Sequence, residues 1–162
     1  TINANDVTEL QNYGADTIVS VNNAALNEFN AKEYASVIQQ VAESKESKVV
    51  VIDSSIDGIY IGPLVSVALN AGYASNVVEA PTSASPFTVK RTAFTNKAFN
   101  FTTIDTDVKI VGVSNNSFGL VENSGSASAE DFSPSVLDNG VHVDSVDKAT
   151  NTVCSYIVSL IS

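Results

Sequence analysis

Side chains able to do chemistry fall at only a few places in the sequence. Asp53-Ser54-Ser55-Ile56-Asp57-Gly58 groups two carboxylates and two hydroxyls. It follows an apolar run that reads as a parallel strand and precedes a helix. That is where open α/β sheets place ligands and where backbone N–H groups can take an anion. The same residue types also make ordinary helix caps, with Ser54, Ser55 or Asp57 accepting from first-turn N–H groups, and the cap is the favoured reading. Neither P-loop nor dinucleotide spacing occurs in the chain, and two acidic residues would repel an anion. His142 lies between Val141 and Val143 on an alternating run, so it points outward beside Asp144 if the valines face the core. A general-base role would need a nucleophile that no neighbouring residue supplies. Cys154 has no basic neighbour in sequence to lower its pKa, so it reads as inert packing. Lys90-Arg91 is an adjacent basic pair, read as a partner of nearby carboxylates. No residue is therefore assigned as catalytic, cofactor-binding or metal-ligating.

Composition narrows the function classes further. The chain has 162 residues, 44% of them hydrophobic, enough for one domain with an ordinary core. Eight Lys+Arg against 18 Asp+Glu give a net charge of −10, the wrong sign for gripping nucleic acid or an anionic membrane surface. No apolar run reaches the ~18 residues of a membrane-spanning helix. One Cys and one His exclude a disulfide framework and make zinc improbable, in agreement with a reducing, cytoplasmic location. The absence of Met and the opening Thr1-Ile2-Asn3-Ala4 suggest a cut within something longer.

The elements that must position these residues follow from periodicity. Val7 to Asn12 reads as a helix stub stopped by Gly14, and Thr17 to Val21 as a strand. Asn30 is placed to cap a helix over Ala31 to Glu43, where Tyr34, Val37, Ile38 and Val41 form one apolar face. Val49-Val50-Val51-Ile52 lacks alternation, as a parallel strand covered on both faces would. Pro63 is expected in the first turn of a second helix that Gly72 stops in the left-handed conformation. Beyond Val77 the pattern alternates. Phe87 to Phe94 and Phe99 to Ile104 read as an antiparallel hairpin turning at Thr95-Asn96, and Lys109 to Val113 as a further strand. Asn123 to Ser135, rich in Ser, Ala and Gly, reads as a long loop or linker, and Val141 to Val146 as a last strand. The expected fold is α/β: a layered, mainly parallel sheet flanked by helices, with a C-terminal antiparallel β portion.

The segment Ser85-Pro-Phe-Thr-Val-Lys-Arg-Thr-Ala-Phe-Thr-Asn-Lys-Ala-Phe99, followed by Val108-Lys-Ile-Val-Gly-Val-Ser-Asn-Asn-Ser-Phe118, resembles the N-terminal domain of the electron transfer flavoprotein α subunit. Arg91, Ala98 and Phe118 keep the places of the family's pattern there. Upstream, the helix from Tyr34, the strand Val49 to Ile52, Pro63 and the passage Asn70-Ala-Gly-Tyr-Ala-Ser-Asn-Val-Val78 follow in the family's order. Phe118-Gly-Leu-Val-Glu-Asn123, Ala129-Glu-Asp-Phe132 and Val143-Asp-Ser-Val-Asp-Lys148 are similar to it as well. The resemblance runs over residues 1–148, starting inside the family's domain, whose first strand and helix would precede Thr1. Residues 149–162 form an atypical tail where the family continues into its C-terminal FAD-binding domain, as a truncation or an altered reading frame would leave it.

The resemblance implies the adenine nucleotide alpha hydrolase-like form of that layered α/β fold, and an electron carrier rather than an enzyme. Such a carrier is a heterodimer with the electron transfer flavoprotein β subunit, taking electrons from acyl-CoA-type dehydrogenases onto FAD and passing them to a membrane oxidoreductase of the respiratory chain. The N-terminal α domain would be a scaffold and β-subunit interface, with no FAD bound by this chain alone. Two alternatives come from other classes. One is a stand-alone adenine-nucleotide-binding module using Asp53 to Gly58, since fold alone does not fix function. The other is a β-rich adhesion module, suggested by the Ser/Thr/Asn-rich surface and opposed by the amphipathic helices.

Overall fold

A computed structural model describes residues 4–136, 144–145 and 159–161. Helix α1 (Ala4–Asn12) leads through Gly14, at φ +86°, into strand β1 (Thr17–Val21). A single 3-10 turn (Ala24–Asn27) follows, then α2 (Ala31–Ser44), β2 (Val49–Asp53), α3 (Ile56–Ala68) and β3 (Gly72–Glu79). The hairpin β4 (Phe87–Ala93) and β5 (Ala98–Ile104) comes next, then β6 (Lys109–Val113), β7 (Ser128–Phe132) and β8 (Ser159–Ile161). Among the described residues no helix is long and apolar enough to cross a membrane.

The six-stranded sheet has the order β5-β4-β3-β6-β2-β8. Its centre is parallel, β6 lying between β3 and β2, and its margins are antiparallel, through the β3–β4–β5 meander on one side and β8 on the other. This is the layered α/β class the sequence predicts. The connection β2–α3–β3 returns parallel to its start and leaves a gap that β6 fills, so strands distant in sequence form the middle of the sheet.

Local rules account for the helices. The Asn30 side-chain oxygen accepts from the N–H groups of Lys32 (3.0 Å) and Glu33 (3.4 Å), satisfying two orphan donors of α2. The apolar face behind that cap buries Ala35, Val37, Ile38, Val41 and Ala42. Ala35, Ile38 and Ala42 pack with Ile61 and Val65 of α3 onto Val50, Ile52 and Ile110 of the sheet. A second cluster on the other side joins Ala74, Val77, Phe87, Val89, Ile104 and Val111.

The structure corrects several sequence expectations. Pro63 lies well inside α3 rather than in its first turn, because Ser55 caps the helix and the seven residues from Ile56 to Gly62 are already helical. Asn70, at φ +49°, takes the left-handed stop, while Gly72 opens β3, where close approach of Ile104 leaves no room for a side chain. Strand β2 is not equally covered on both faces: Val50 and Ile52 are buried on one, Val49 and Val51 half-buried on the other. The expected loop between Asn123 and Ser135 contains β7, paired in parallel with β1 from Thr17↔Ser128 to Val21↔Phe132. Strand β3 has no counterpart among the expected elements. His142, Cys154 and most of the expected strand Val141 to Val146 lie outside the described residues, as does the tail apart from β8.

Candidate functional site

The loop Asp53 to Gly58 occupies the position its sequence predicts, at the carboxyl end of β2 and the start of α3. Its polar groups are satisfied within the chain. The Ser55 hydroxyl accepts from the Gly58 N–H at 3.1 Å, the geometry of an N-cap. The Ser54 N–H donates to the Val113 carbonyl at 2.8 Å, and the Ser54 hydroxyl accepts from the Asn76 N–H at 3.2 Å. The loop is thereby tied to both neighbouring strands, with Asn76 at φ +57° inside the bulge that interrupts β3. Gly58 has no space for a Cβ, which would run into the Asp53 carbonyl and stand 2.8 Å from the Asp53 Oδ1. The cap reading of Ser55 therefore holds, and Ser54 has a second structural role that the local sequence could not reveal.

Beside this loop Tyr73 and Ser75 of β3 come together with the Arg91 side chain of β4. The Tyr73 ring lies against Gly62 of α3, and its hydroxyl comes close to Gly112 of β6. Burial pushes its phenol above the ordinary tyrosine range, and the nearby Arg91 charge partly opposes that shift. Arg91 donates through Nη2 to the Ser75 hydroxyl at 3.3 Å, and its buried Nε has no hydrogen-bond partner. Lys90 behaves as expected of it, pairing with Glu79 at 2.9 Å while its ammonium lies 4.6 Å from the centre of the Phe99 ring. Arg91 forms no ion pair with a carboxylate among the described residues, so the expectation holds for one member of the basic pair only.

The arrangement supplies no nucleophile with an adjacent general base. The hydroxyls of Ser54 and Ser55 are engaged with backbone N–H groups, and among the described residues no cluster of His, Cys, Asp or Glu could hold a metal ion. A groove of ≈ 450 Å³ lies elsewhere, lined by Thr8, Glu9, Asn12, Tyr13, Glu122 and Ser124. It forms where the segment after Val121 pairs with the end of α1, the Asn123 N–H donating to the Asn12 carbonyl at 2.9 Å. Its walls meet across more than a hundred residues, so nothing in the local sequence announces it.

These residues do not fit FAD. The groove presents Glu9 and Glu122 where a pyrophosphate would need N–H donors or cations, and the first turn of α3 begins beside Asp53 and Asp57. Comparison with curated proteins finds no match. The family model of the electron transfer flavoprotein domain matches residues 2–137, which include both helices packed on the sheet, strands β1 to β7 and the loop at Asp53. By that match over most of its length, the chain belongs to the electron transfer flavoprotein domain family.

Proposed function

We propose that this chain is the N-terminal α/β domain of an electron transfer flavoprotein α subunit. It serves as the scaffold and β-subunit interface of a heterodimeric carrier, and it binds no FAD alone. In this reading the complete carrier takes electrons from acyl-CoA-type dehydrogenases onto FAD held by another domain and delivers them to a membrane oxidoreductase. The observation that carries the reading is the family match over residues 2–137. The internal engagement of Ser54 and Ser55 supports a scaffold role, since their hydroxyls hold α3 and β3 and the Ser54 N–H holds β6.

Calorimetric titration of the purified chain with FAD, AMP and ATP in one buffer tests it, followed by mixing with the β subunit. The expected result is no heat with any nucleotide and a stable complex with the β subunit. Stoichiometric flavin on the isolated chain would overturn the scaffold reading. Tight binding of an adenine nucleotide, abolished by substitutions in Asp53 to Gly58, would favour the nucleotide-binding module instead.

A further inference from the structure

Strand β5 ends the six-stranded sheet, and among the described residues no strand pairs with its outer side. Natural edge strands are normally blunted by charge, proline, a bulge or brevity. β5 has none of these: Ala-Phe-Asn-Phe-Thr-Thr-Ile is seven residues long, uncharged and free of proline, and it pairs with β4 in unbroken register from Phe87↔Ile104 to Ala93↔Ala98. Phe99 and Phe101 stand on one face, 62% and 69% exposed. The face is identified by Lys90, which lies opposite Phe101 in register and over the Phe99 ring. Ile104, three residues beyond Phe101 and so of opposite alternation, is buried on the other side.

We propose that β5 is a pairing edge for a second copy of this chain, joined antiparallel about a two-fold axis at Phe101. The residues flanking the strand select both the occupant and the register. Centring on Phe101 sets Phe101 against its own counterpart, Phe99 against Thr103 and Ala98 against Ile104, and it brings Lys97 of each copy opposite Asp105 of the other. Both of these are exposed, and neither has an ion-pair partner among the described residues. The seam thus has a Phe101–Phe101 pair at its centre, flanked by Phe99–Thr103 pairs, and a complementary charge pair at each end, the pattern that stabilises antiparallel pairs. Sliding the register to set Lys97 against Asp107 is disfavoured, because Lys48 already holds that carboxylate at 2.7 Å. Lys90 adds no repulsion, since its ammonium is paired with Glu79 in each copy. One seven-residue seam is smaller than the roughly 800 Å² per partner of a standard stable interface, so the dimer is weak and concentration-dependent.

Sedimentation velocity on the whole chain over a micromolar concentration series tests this. The mass rises from 17.0 kDa towards twice that value as concentration increases. Phe101→Lys, at an exposed position, leaves the far-UV spectrum unchanged and abolishes the rise, whereas Val121→Lys, at an exposed apolar position away from β5, retains it. Lys97→Glu and Asp105→Lys each weaken dimerisation about tenfold, and the two together restore it. A chain that stays monomeric throughout the series overturns the proposal, as does a dimer that survives Phe101→Lys. Failure of the double charge reversal to restore association overturns the register. None of these readouts depends on flavin or on a second subunit, so they stand apart from the test of the proposed function.

Discussion

The Tyr73 ring and the Gly62 backbone are in direct apposition: a Cβ placed at Gly62 would stand 2.6 Å from Cζ of the ring. This contact sets how closely α3 lies on β3. Glycine in a helix interior ordinarily costs about 1 kcal/mol relative to alanine. Here the sign reverses, because the added methyl would stand 2.6 and 2.7 Å from two ring carbons of Tyr73, too close unless helix or ring shifts. Gly62→Ala is expected to destabilise the fold by about 1–3 kcal/mol, the usual range for overpacking. Urea denaturation checks it, and the double variant Gly62→Ala with Tyr73→Phe should recover little, since the ring rather than the hydroxyl makes the closest contact.

The start of α3 gives a graded pair of substitutions. Ser55→Ala removes the acceptor of the Gly58 N–H and should cost about 1 kcal/mol, while Ser55→Gly should cost only a few tenths. Gly58→Ala meets the Asp53 backbone carbonyl, which cannot swing aside as a side chain can, and should cost more than either Ser55 substitution. Thermal melts of the three variants would test the order. Equal losses for Ser55→Ala and Gly58→Ala would mean that the loop relaxes and that Gly58 is not held against Asp53.

Much of this architecture was legible because its determinants are local. Asn30 and the apolar residues behind it identify α2 without reference to the rest of the chain, and the alternation in Phe87 to Ile104 identifies the hairpin. Strand β3 is hidden by its own bulge: Ala74 and Val77 both face the second core cluster although they are three residues apart, which breaks the two-residue period. Strand β7, Ser-Ala-Glu-Asp-Phe, is mostly exposed and exists through its pairing with β1, more than a hundred residues away. The same division applies at the candidate site. The position of Asp53 to Gly58 follows from the strand before it, but the engagement of Ser54 by Asn76 depends on β3, which the periodicity does not reveal.

Lys48 and Asp107 join the start of β2 to the turn before β6 through a 2.7 Å ion pair. The hydrogen bond and charge of Lys48 hold the Asp107 carboxyl below the ordinary aspartate range, and Asp107 holds the Lys48 ammonium above its ordinary value. A carboxyl depressed on folding contributes stability above its unfolded pKa, and that contribution disappears as the pH falls through its folded value. Both side chains are largely exposed, so the effect is small and screened by salt. In an NMR titration the Asp107 midpoint should move up towards the ordinary carboxylate value in Lys48→Gln, and in the parent chain on adding salt. A midpoint insensitive to both changes would show that the pair does not persist in solution.

Pro63 offers the opposite test, a substitution expected to stabilise. It is exposed and sits in the interior of α3, where its ring cannot donate to the Ile59 carbonyl one turn earlier. Proline in a helix interior costs about 3 kcal/mol relative to alanine. Part of that cost is offset because proline also restricts the unfolded chain, an effect of roughly 0.4–1 kcal/mol. Pro63→Ala should therefore raise stability by about 2–2.6 kcal/mol, seen as a higher urea midpoint with an unchanged m-value. Gly62 precedes it, and the tight contact of Gly62 with Tyr73 fixes the helix at the same point. If Pro63→Ala lowers stability instead, the proline ring helps hold α3 where Gly62 meets Tyr73, and that contact outweighs the restored N–H.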